Sequence, residues 1–241
     1  MTAKIQKIFA LMAAALLFLA ACDHFSVNRG SGNLITETHQ VSGFTKVEFA
    51  GVREVEIVQD GTESLVIETD DDVMEHITTE VRDATLYVSQ RLGSPTPTKL
   101  KITLHVNELT GISIPGRVSV RADSLKTDTL ANRIEGVASL RIKSLVADEL
   151  TVVINGVGDV KISGSASSQT VVIGGTGTYH AGDLQSESAS LVVSGSGDVT
   201  LWVTKILDVV AQGTCTVDYY GLPEINIAQA RACQLHTLGD K

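Results

Sequence analysis

The chain has 241 residues, 28 acidic against 19 basic side chains and a formal net charge of −9. So acidic a chain is a poor partner for nucleic acid. Only 4% of residues are aromatic while 43% are hydrophobic, which favours thin, regular layers of aliphatic side chains over a bulky core.

The N-terminus reads as an export signal. Lys4 and Lys7 precede an apolar run from Ile8 to Ala21, too short to span a bilayer comfortably. The run ends in Leu19-Ala20-Ala21-Cys22, which resembles the lipobox of bacterial lipoproteins. The resemblance implies a signal peptide over 1–21, acylation of Cys22 as the first mature residue, and attachment to the membrane through that anchor. Asp23 favours the inner over the outer membrane, on the periplasmic side of the envelope. Residues 1–21 hold two lysines and no acid, so their removal takes the net charge from −9 to −11. Residues 22–34 read as the lipidated end and a tether, and 35–241 as one domain.

From residue 41 onward, short strand-like runs alternate with turns. "VEFAGVREVEI" at 47–57 places Val47, Phe49, Val55 and Ile57 on one face around Gly51. "DDDVMEHI" at 70–77 suits one helical turn and "GSPTPTK" at 93–99 a loop. A repeat then takes over, anchored on Gly116, Gly136, Gly156, Gly175, Gly195 and Gly213, at intervals of 20, 20, 19, 20 and 18 residues. Two residues before the anchors stand Ile114, Ile134, Ile154, Ile173, Val193 and Ala211. Four after stand Val120, Leu140, Val160, Tyr179, Val199 and Val217. Six after stand Ala122, Ile142, Ile162, Ala181, Leu201 and Tyr219. These apolar columns differ by two, the strand period. A 20-residue repeat with strand periodicity predicts an all-β fold, a right-handed parallel β-helix (β-solenoid) with a less regular N-terminal cap. The glycines then form a stacked corner, chosen for backbone freedom and close approach. Asp159 and Asp198 directly follow the second glycine of their corners and are expected to hydrogen-bond the turn.

The motifs "GSGN" (30–33), "VSGFTKVEFAGVREVEIVQ" (41–59), "LKITLHVNELTGISIPG" (100–116), "SGSGDV" (194–199) and "VDYYGLPEI" (217–225) resemble a bacterial family, the putative auto-transporter adhesin, head GIN domain. Gly136-Val137-Ala138, Gly213-Thr214-Cys215 and Arg231 depart from its Ser-Gly-Ser-Gly pattern. The resemblance implies a β-helix and an adhesin-like role.

Outward columns supply candidate sites. Arg121, Arg141, Lys161 and His180 stand five after successive anchors as a basic ladder. Stacked like charges are unfavourable unless an anion or nearby acids relieve them. Trp202 and Tyr220 fall on adjacent coils and could receive a sugar ring or be covered by the tail at 223–241. Val153, Val172, Val192 and Val210 form an apolar stripe that requires a cover, either the N-terminal strands or another chain. Cys215 and Cys233 share the second-glycine column and fall within disulfide reach on neighbouring rungs; two free thiols are the alternative. The six histidines lack metal-ligand spacing, no cofactor is implied, and no serine has a His and Asp placed to activate it. The sequence therefore reads as a non-catalytic envelope module that binds a glycan or an envelope protein. A polysaccharide lyase using Arg141, Lys161, Asp159 and Asp198, and a self-associating structural module, are the alternatives. Oligomeric state is not legible.

Overall fold

The computed structural model describes residues 28–241, of which 73% lie in strands, arranged as one β-solenoid of about six turns. The apolar run, Cys22 and Asp23 lie outside the described residues. No helix among the described residues is long and apolar enough to cross a membrane.

Successive coils pair in parallel with a shift of one repeat. Val137–Ile154 (β12) pairs with Val157–Ile173 (β13), that with Thr176–Val193 (β14), and that with Ser196–Tyr220 (β15). Glu224–Gly239 (β16) forms the last rung on β15. Register breaks after Ile142, Lys161 and Ala181 mark a second corner in each coil. The three apolar columns face inward. Ile134, Ile154, Ile173, Val193, Leu140, Val160, Ile162 and Leu201 are all fully buried. One coil cannot hide such a row, but stacked coils can, and each buried aliphatic side chain contributes about 1.5–3 kcal/mol.

The corner glycines answer to close approach. A Cβ on Gly195 would stand 2.0 Å from the Gly175 carbonyl oxygen, and one on Gly136 would stand 2.0 Å from that of Gly116. Those oxygens already accept the next coil's ladder bonds, from Ser196 N–H at 2.9 Å and Val137 N–H at 2.9 Å. The anchor glycines do not have positive φ, so the backbone freedom expected of them is not what the corner uses. The turn hydrogen bonds expected of Asp159 and Asp198 are also absent among the described residues. The turn closes through backbone groups, and both aspartates stand outward on the following strand, Asp159 beside Arg141.

The lower end is built differently. The coil around Gly51, Lys46–Ala50 (β2) and Glu54–Gln59 (β3), stacks directly under the coil of Gly116, with Val47 opposite Ile112 and Val55 opposite Val120. Below it lies a further coil, Thr85–Gln90 (β6) and Leu100–Val106 (β7). Antiparallel strands then close the stack. Ser64–Asp70 (β4) pairs with β7, Leu34–His39 (β1) with β4, and Ile77–Arg82 (β5) with β6. Asp71–Met74 (α1) is the expected helical turn.

Residues 28–33, read from sequence as tether, are docked on this cap. Arg29 bridges Thr96. Asp70, fully buried, accepts hydrogen bonds from Gly32 N–H (2.7 Å), Thr98 N–H (2.7 Å) and the Thr98 hydroxyl (2.6 Å). Asp71 accepts from the Ser31 hydroxyl and the Asn33 amide, and Asp72 from Ser31 N–H.

Candidate functional site

Strand alternation builds the basic ladder. In each coil the residues four and six after the corner point inward, so the fifth points to solvent. Arg121, Arg141, Lys161 and His180 are therefore exposed register partners on consecutive rungs, followed by Thr200. Their spacing is that of neighbouring strands, roughly 4.8 Å. Part of the charge is met locally. Arg121 Nη1 lies 3.3 Å from Glu54, Arg141 Nη2 3.6 Å from Asp159, and Lys143 Nζ 2.7 Å from Asp123. Every partner is well exposed, so these pairs contribute at most about 1 kcal/mol each. Lys161 makes no ion pair among the described residues.

The ladder has a groove beside it. A cavity of about 440 Å³ runs along the second corner, walled by Arg121, Arg141 and Lys161 on one side and Lys143 and Ser163 on the other. The sequence reading missed Lys143, although it shares Arg141's outward parity two residues on. A larger open groove of about 710 Å³ lies next to the first corner, among Arg117, Val137, Val157, Asp159 and Thr176. It forms where the inward column shrinks to Ala138, Gly158 and Gly177.

The structure brings Trp202 and Tyr220 together at the upper end of the ladder, both half-buried. Lys241 covers both: its Nζ lies 5.3 Å from the Trp202 ring centre and 4.8 Å from that of Tyr220. It also pairs with Asp183 Oδ1 at 2.5 Å. The tail, not open solvent, faces the aromatic pair. Lys241's hydrogen bond and charge hold the Asp183 carboxyl below its usual range.

Val153, Val172, Val192 and Val210 are register partners on four rungs, each half-buried by its neighbours. Among the described residues, the N-terminal strands pair at the lower end of the stack and not with these rungs. Cys215 and Cys233 are register partners joined by a disulfide, with Cα atoms 4.4 Å apart. Of the lyase set, Arg141, Lys161, Asp159 and Asp198 share one outward face, but Arg141 and Asp159 are engaged with each other. No group of three His, Cys, Asp or Glu side chains that could hold a metal occurs among the described residues.

A polar line inside the core escaped sequence reading. The Tyr179 hydroxyl donates to Gln169 Oε1 (2.9 Å), the Gln169 amide to Ser186 Oγ (2.7 Å), and Ser186 Oγ to the Trp202 carbonyl (2.9 Å). Burial pushes the Tyr179 phenol up, so it stays a neutral donor.

Comparison with known proteins adds the following. The family model described as "putative auto-transporter adhesin, head GIN domain" matches residues 43–223. A crystal structure of a putative adhesin from Bacteroides fragilis shares 30% identity, with a TM-score of 0.79, over 88% of this chain and 97% of that one. A putative adhesin from Parabacteroides merdae (18% identity, TM-score 0.66) is covered over 98% of its length and 88% of this chain. A putative lipid binding protein from Parabacteroides distasonis (22% identity, TM-score 0.63) is covered to the same extents. These last two share the fold. No curated protein matches.

Proposed function

Because this chain belongs to the putative auto-transporter adhesin, head GIN domain family, we propose that it is a non-catalytic, adhesin-like recognition module held on the periplasmic face of the envelope through Cys22. Its basic ladder is the contact face, and its partner is an anionic envelope glycan. One observation carries this reading: Arg121, Arg141 and Lys161 repeat in register along a groove on an otherwise acidic protein. A linear polymer with a charge on each unit can follow such a ladder, whereas a compact ligand would touch only one or two rungs. Binding would exchange weak exposed ion pairs for several simultaneous ones, so affinity grows with ligand length. The relative at 30% identity is itself named a putative adhesin, which favours binding over turnover.

The test is a screen of the purified protein against arrayed glycans and envelope fractions, beside an Arg141→Ala/Lys161→Ala variant. Binders enriched in carboxylate, sulfate or phosphate, and lost in the variant, are the expected result. Turnover of a bound glycan that disappears on substituting Lys161 or Asp198 would replace this reading with the lyase.

A further inference from the structure

Four groups drawn from neighbouring coils converge on one ammonium. Lys241 Nζ sits within cation–π range of both the Tyr220 and Trp202 rings, 4.8 and 5.3 Å from their centres. It donates to the Gly182 carbonyl at 2.8 Å and meets Asp183 Oδ1 at 2.5 Å. Two aromatic faces, a carboxylate and a carbonyl are a recognition set for an ammonium or alkylammonium ion. The chain's own lysine thus reports which chemistry this place accepts.

The same place is one end of a cavity of about 300 Å³, and the rest of its lining has the opposite preference. Lys161, without an ion pair among the described residues, and His180 form the other wall, with Thr200 between. A simple cation would satisfy the aromatic end and be repelled by Lys161. A simple anion would do the reverse at Asp183. A group that carries an anion and an ammonium a few bonds apart satisfies both ends at once.

We infer that this cavity binds a zwitterionic phosphate–ammonium headgroup of the phosphocholine or phosphoethanolamine kind. The ammonium lies between Trp202 and Tyr220 against Asp183, and the phosphate lies against Lys161 and His180. Lys241 holds the ammonium position until the ligand arrives. Its pairing with Asp183 is partly exposed, at 35% and 63% of the two side chains, and such a pair is weak enough to be displaced. The inference rests on the reading of the chain as a recognition module and names a ligand for the upper end of its ladder.

Trp202 is the only tryptophan, and its ring lies 5.3 Å from the Nζ of Lys241, which lines the cavity, so intrinsic fluorescence reports displacement of Lys241. The experiment titrates phosphocholine, phosphoethanolamine, choline and inorganic phosphate into the protein and its Lys241→Ala, Lys241→Gln and Asp183→Asn variants. Saturable change with the two zwitterions is expected, weaker with choline or phosphate alone. Freeing the cage with Lys241→Ala or Lys241→Gln should tighten zwitterion binding at least about fivefold, because the competing occupant is gone. Asp183→Asn should weaken it. Vesicles of phosphatidylcholine or phosphatidylethanolamine form the second arm. Binding to both arms names a lipid headgroup as the source, and binding to the soluble group alone names a free or glycan-borne one. No saturable change in either Lys241 variant, with the native circular dichroism intact, overturns the inference. An Arg121→Ala/Arg141→Ala variant separates the two proposals, since it should lose glycan and keep the headgroup.

Discussion

Two residues on this solenoid have their identities tested by opposite effects, steric exclusion at Gly195 and an unmet polar group at Asn132. Gly195 has no room for a side chain, since a Cβ would occupy the space of the oxygen that accepts the Ser196 N–H. Gly195→Ala should therefore cost at least about 2 kcal/mol, the scale of core overpacking, read as a lowered denaturant midpoint. Asn132 is buried, yet neither its amide nitrogen nor its oxygen has a partner among the described residues. It stands between Ile112 and Val152 in an inward column. A buried polar group without a partner costs roughly 1–3 kcal/mol, so Asn132→Val should raise stability by about that amount in the same measurement. An unchanged or lowered midpoint would mean that Asn132 has a partner of its own.

At the scale of the element, the columns were legible because each coil repeats the same apolar offsets from its corner glycine. The cap was not. Its antiparallel strands follow no repeat, and the contacts that dock residues 28–33 join residues far apart in sequence, 38 to 41 for those to Asp70, Asp71 and Asp72 and more for the Arg29–Thr96 bridge. Lys241 was hidden for the same reason, while Tyr179 was read only as a member of an apolar column and Gln169 lies outside the columns that the repeat defines. The acidic cluster gives the cap a pH dependence. Burial works to raise the Asp70 pKa, but hydrogen bonds from Thr98, Gly32 and Lys99 outweigh it and leave the carboxyl below its usual value. Asp71 is lowered by Asn33 and Ser31. A carboxyl lowered on folding stabilises above its unfolded pKa, and that contribution is lost as pH falls through the folded value. Hydrogen exchange at the Gly32 and Thr98 amides should therefore stay protected at neutral pH and open only once the pH has fallen through the lowered folded value, beneath the ordinary aspartate pKa of about 3.9. Protection unchanged there would contradict the carboxylate clamp. At the other end, the disulfide ties the last rung to the stack across 18 residues. Cys233→Ser should cost about 3 kcal/mol by the loop-entropy relation, with exchange rising over 224–239 while the lower coils keep their protection.

Across the whole molecule, the solenoid turns a sequence repeat into a spatial one, so a charge at one offset becomes a line of charges along a flank. That conversion let the ladder be read from sequence. It could not reveal Lys143 across the groove, because that required knowing where the second corner bends. The central claim is that this flank recognises a linear polyanion, and the most direct measurement is affinity for a uronate polymer across a salt series. The protein is compared with an Arg121→Gln/Arg141→Gln/Lys161→Gln variant. At physiological ionic strength the native protein should bind at least about tenfold more tightly, a difference of about 1.4 kcal/mol, and the gap should close as salt screens the ladder. Equal affinity of the two proteins at low salt would contradict the account.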